Sequence, residues 1–101
     1  METREARCHF LAAVLAADGM MHDDERTMLE AEMLARELDD EEKDRVRAFN
    51  GLDDAAARLK GEPEALRQEI VDQLVEAALV DGKLTPLETA AVKRLTALLG
   101  L

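Results

Sequence analysis

Between Asp18 and Glu25, in the stretch ADGMMHDDE, the chain carries four carboxylates, Asp18, Asp23, Asp24 and Glu25, with the imidazole of His22 among them. Oxygen donors at that density suit a hard divalent cation such as calcium, magnesium or manganese. An Asp-Gly with a Glu seven residues after the Asp also has the cadence of the back half of an EF-hand loop. The front half is missing. With Asp18 as loop position five, positions one and three fall on Val14 and Ala16, apolar residues inside a helical pattern. Calcium draws on about six to eight oxygens, so the spacing argues against an EF-hand. Two readings stay open: a weak divalent-metal site, or a helix start whose acids cap backbone amides and favour the helix dipole.

A second corner, VDGKLTPLE, repeats the pattern with fewer acids, Asp81 and Glu88, and with the cation Lys83 between them. Here capping is the stronger reading. Thr85 is the expected N-cap, Pro86 the first helical residue, and Glu88 the residue that reaches back to the cap's amide. Gly19 and Gly82 are the expected left-handed residues of the two turns. Whether Asp18 and Asp81 meet depends on whether the helices before them run parallel or antiparallel.

Other chemistry is sparse. Cys8 and His9 are neighbours on a helix, so they diverge by about 100° and make a poor catalytic pair. The chain has no serine, which excludes a serine hydrolase and a serine-linked carrier protein, and it has no glycine-rich phosphate loop. No nucleophile–base pair is visible, and the expectation is a protein that is not an enzyme. Met20, Met21, Met28 and Met33 suit core gaps, or an adaptable partner groove.

The elements that would position these residues are helices throughout. Ala, Leu, Glu, Arg and Asp dominate, and aromatic residues make up 2% of the chain. Residues 4–17 are apolar nearly all round through Cys8, Phe10, Leu11, Val14 and Leu15, which predicts a central helix ended by Asp18-Gly19. The next helix, about 23–38, has Met28, Ala31, Leu34, Ala35 and Leu38 as its inward stripe and pairs Glu32 with Arg36 outside. A third opens at Asp39 with Glu42 as capping partner, turns Val46 and Phe49 inward, and stops at Asn50-Gly51. Asp53 or Asp54 caps a short fourth helix ending at Lys60-Gly61. Pro63 sits in the first turn of a fifth, about 63–80, with Leu66, Ile70, Val71, Leu74, Ala77 and Ala78 buried. The last, about 86–99, turns Leu87, Ala91, Val92, Leu95, Leu98 and Leu99 inward. The expected fold class is all-α, a single domain over 1–101 of about six helices with two buried central ones.

The formal charge of −10 is concentrated. Residues 18–54 carry a net −9, densest in LDDEEKD, whereas 1–17 balance and 55–101 carry −1. Such a surface is a solvated face or an attractor of cations or of a protein partner with a basic surface. It repels phosphate backbones, so no nucleic acid is expected. One cysteine, no secretory layout in METREARCHF and no apolar run near the roughly 20 residues of a membrane span point to a cytoplasmic protein with no membrane span.

ADGMMHDDE and VDGKLTPLE align at an offset of 63 residues, Asp18 on Asp81, Gly19 on Gly82, Met21 on Leu84, Glu25 on Glu88, with Leu38 falling on Leu101. The halves, about 4–38 and 63–101, flank acidic connecting helices at 39–61, an internal two-fold repeat. The pattern A-x-D-G-x-[apolar]-x-x-x-E, repeated ahead of a terminal LLGL, resembles the TerB-like family of bacterial tellurite-resistance proteins from about Phe10 to Leu101. That resemblance implies an all-helical bundle around two buried central helices. It also implies a role in tellurite and general stress responses, phage resistance, or membrane-associated or metal-sensing complexes; some members carry an acidic cluster proposed to bind divalent metal. The expected function is a small non-catalytic binding or adaptor module of the bacterial stress response. The alternative is a weak divalent-metal sensor or buffer at the Asp18–Glu25 corner.

Overall fold

Strong helix formers and few β-branched residues give six helices in the computed structural model, which describes residues 1–79 and 85–101. They are α1 (Thr3–Leu15), α2 (Asp23–Ala35), α3 (Asp40–Arg47), α4 (Leu52–Lys60), α5 (Glu64–Ala78) and α6 (Pro86–Leu98). No strand occurs among the described residues, and none of their helices is long and apolar enough to cross a membrane. The fold is all-α, as expected. The bounds of α6 are those of α2 moved by 63 residues, and α1 and α5 end at the same offset.

α1 is the axis of the molecule. It buries Ala6, Cys8, Phe10, Leu11, Ala12, Val14 and Leu15 and packs against all five other helices. α5 is less central than its counterpart: it buries the stripe Ile70, Val71, Leu74, Ala77 and Ala78 on α1 and α6, while Glu69, Asp72, Val75 and Glu76 stay exposed. Its charged positions recur on one side, so that side faces water.

Three inward faces differ from the sequence reading. In α2 the buried residues are Glu25, Leu29 and Met33, followed by Leu38, whereas Ala31 and Ala35 are exposed and Leu34 is 71% exposed. The Glu32–Arg36 pair forms at 2.8 Å, but on the partly buried flank, where Gln73 donates to Glu32 at 3.1 Å and accepts from Arg7 at 3.0 Å. This polar cluster between α1, α2 and α5 holds Glu32 inward, and Leu34, two residues on, is carried outward. In α3 Val46 is fully buried but Phe49 is 53% exposed, because the helix ends before it. In α6 Leu95 and Leu99 are buried while Leu87 is 55% and Leu98 39% exposed.

Helix starts shift by a residue or two. Gly51, not Asp53 or Asp54, is the N-cap of α4, so both acids lie in its first turn, and Pro63 is the N-cap of α5. Asp39 caps α3 as expected, accepting from the Glu42 amide at 2.8 Å while Glu42 accepts from the Asp39 amide at 2.9 Å. α2, α3 and α6 all end in a Schellman motif, with Glu37, Phe49 and Gly100 at the left-handed position (φ 58°, 55° and 75°). Only the last uses glycine.

Two polar side chains are buried inside α1. Glu5 and His9, one turn apart, are almost fully covered, with His9 Nε2 2.8 Å from Glu5 Oε2. The Arg45 side chain reaches across from α3 and donates to both Glu5 oxygens, at 3.0 and 2.7 Å. Those bonds hold the Glu5 carboxyl below its ordinary range although burial alone would raise it.

Candidate functional site

The Asp18–Glu25 corner is built mostly from its own backbone. Gly19, at φ +92°, turns the chain after α1, and its amide donates to Ala16 O at 3.0 Å. Asp18 Oδ1 accepts from the Met20 amide at 3.3 Å, and its Oδ2 lies 3.8 Å from His22 Nε2. Glu25 is buried and accepts from the His22 amide at 3.1 Å. Asp23 and Asp24 are exposed in the first turn of α2, at the positive end of its dipole. The structure thus brings Asp18 near His22, commits Glu25 to backbone, and leaves Asp23 and Asp24 facing water. Among the described residues no three His, Cys, Asp or Glu side chains are placed to hold a metal ion.

At the second corner Asp81 and Gly82 lie outside the described residues. Thr85 is the N-cap of α6: its Oγ1 accepts from the Glu88 amide at 3.1 Å, with Pro86 in the first turn. Buried Glu88 accepts the Thr85 hydroxyl at 2.9 Å, so the bond expected to the cap's amide runs to its side chain. Thr85→Ala removes both bonds, and urea denaturation is expected to show a loss of about 1 kcal/mol.

Beside the first corner lies a groove of about 530 Å³. Ala16, Met21 and Leu29 give it an apolar base, Arg26 and the Glu30–Arg47 pair line it, and Phe49 stands at its side. Arg47 grips Glu30 with two bonds, at 3.0 and 2.6 Å, which hold the Glu30 carboxyl below its ordinary range. Each charge of that pair is therefore largely answered. The surface extends along α2 through Thr27, Ala31 and exposed Leu34, which share Arg26 and Glu30 with it. Of the methionines, Met33 is core, Met28 and Met21 are partly buried against it, and Met20 is exposed.

Phe49 is placed by its neighbours. Its amide donates to Val46 O and the Asn50 amide to Arg45 O, each at 3.0 Å, which closes the α3 end with Phe49 left-handed. Arg45 is clamped to buried Glu5, and Gly51 lies on the His9 ring: a Cβ there would come 3.0 Å from His9 Cε1. The backbone on either side of Phe49 is thus tied to residues of the Glu5–His9–Arg45 cluster. In the sequence alone, Glu5 belongs to a charge-balanced terminus and His9 is a poor partner for Cys8. The available signal is their spacing of four on a helix whose other buried residues are apolar.

Exposed acids surround this part of the molecule in sequence: Asp18, Asp23, Asp24, Glu37, Asp39, Asp40, Glu41, Asp44, Asp53 and Asp54 are all at the surface. Neither the curated proteins nor the solved structures provide a match to the chain. A family model does: that of the tellurite resistance protein TerB matches residues 4–101. With that match over six helices and no strand among the described residues, the chain belongs to the TerB family.

Proposed function

We propose that the chain is a non-catalytic protein-binding module of the bacterial stress response, and that the groove beside Phe49 receives an apolar anchor on a basic partner segment. The observation that carries this reading is Phe49 itself. A large aromatic residue is held at φ +55°, where a side chain costs about 1 kcal/mol or more relative to glycine, yet half its surface faces water. The Schellman turn needs a left-handed residue there, which glycine would supply without strain; phenylalanine in its place offers a half-exposed apolar surface to a partner's side chain. The acids of residues 18–54 favour a partner with lysines or arginines around the anchor and disfavour nucleic acid. Chemistry at a thiol is disfavoured too, since Cys8 is fully buried and burial pushes it up to about 12.

The test uses a peptide with a leucine anchor flanked by lysines, and its counterpart flanked by glutamates, followed by fluorescence anisotropy. The lysine peptide is expected to bind and the glutamate peptide not to. Phe49→Gly should weaken binding about tenfold while raising stability by about 0.5–1 kcal/mol, since glycine relieves the left-handed strain. Equal binding by Phe49→Gly and the parent overturns the groove as the docking site.

A further inference from the structure

α6 presents a second apolar surface, away from the groove. Leu87, Ala91, Arg94 and Leu98 follow one another at spacings of four, three and four, which places them on one face of the helix. Leu87 and Leu98 are both well exposed. Beside them Ala13 of α1 and Ala17 in the turn after it, with Ala90, leave a shallow depression of about 230 Å³. From Thr85 to Leu101 the only acidic side chain is Glu88, which is buried, so α6 itself exposes no acidic side chain among its described residues.

We propose that this face docks a second copy of the chain, α6 against α6 in antiparallel register. Two features select that occupant. First, the chain carries −10, and a contact centred on α6, which exposes no acidic side chain, keeps most of the −9 of residues 18–54 away from the seam. Second, the face is complementary to itself under a two-fold axis, the condition for a closed pair. With the axis between Ala91 and Arg94, Leu87 of each copy meets Leu98 of the other, and Arg94 of each meets the other's Ala91. Leucine then packs on leucine. Each Arg94 lays its aliphatic stem over a small residue, with its guanidinium free to reach water, and the two arginines do not oppose each other. The contact is small, so the pair is weak and reversible.

Sedimentation from about 10 µM to about 1 mM is expected to show a monomer–dimer equilibrium. Leu87→Asp should raise its dissociation constant by about tenfold or more, and circular dichroism should show the variant folded, because Leu87 is on the surface. Phe49→Gly, which alters the groove, should dimerise like the parent. Register is read by mixing Leu87→Cys chains with Leu98→Cys chains under mild oxidation: the mixture should form disulfide-linked dimers, and each variant alone should form few. A monomer throughout, a dimer indifferent to Leu87→Asp, loss of dimer in Phe49→Gly, or equal crosslinking by Leu87→Cys alone each overturns the proposal.

Discussion

Glu5→Ala is expected to lower the free energy of unfolding by about 3 kcal/mol, measured by urea denaturation followed by circular dichroism. The size follows from what the substitution strands. Glu5 is almost fully buried, accepts two bonds from Arg45, and lies 2.8 Å from His9 Nε2. Its removal leaves a void and a buried imidazole without its carboxylate. Arg45→Ala should cost less, because its side chain is partly exposed and is tethered from outside. Acid gives a second readout. Since the folded Glu5 carboxyl titrates below the ordinary glutamate value of 4.5, its contribution is complete above that value and is lost as the pH falls through the lower one. The gap between the parent and Glu5→Gln, which cannot titrate, should therefore narrow as the pH drops below 4.5. A gap that is constant with pH would show that Glu5 acts by shape alone.

Gly51→Ala is expected to cost about 2–3 kcal/mol. Gly51 has φ +151°, which an L side chain rarely adopts, and the added methyl would meet His9 Cε1 at 3.0 Å. His9 has little room to yield, since its ring is buried and bonded to Glu5. The matching control is Gly19→Ala, where the φ is also positive but no atom lies within 4 Å of the new Cβ. Its loss should be about 1 kcal/mol, the backbone cost alone. Similar midpoints for the two variants would mean that Gly51 is needed only for its turn.

Much of this architecture is legible in the sequence because α1 announces itself: seven of its inward residues are apolar or alanine, and its end is marked by Asp18-Gly19. The Thr85 and Asp39 caps are legible for the same kind of reason, a short-range bond between residues three apart. Orientation is harder. Ala31 and Leu34 on α2, and Leu87 on α6, satisfy a helical period yet face out, since the period says which residues align and not which aligned set meets α1. Long-range polar contacts are the least legible: nothing local to Glu5 indicates that Arg45, forty residues away, will seat on it. Phe49 is an apolar residue turned outward by a helix end, which a helical period does not register.

The burial of Cys8 makes the protein its own recorder of unfolding. The chain's single thiol sits on the helix that touches all the others, and burial keeps it protonated. A thiol reagent added to the folded protein therefore has nothing to capture until α1 is uncovered, and the α1 packing must open for that to happen. The labelling rate under native conditions then reports how often the bundle opens through its middle, without any engineered cysteine. It also separates two kinds of change in the variants described above. A substitution that frays only α6 or the α3–α4 junction leaves the rate as it was, whereas one that loosens the centre quickens it.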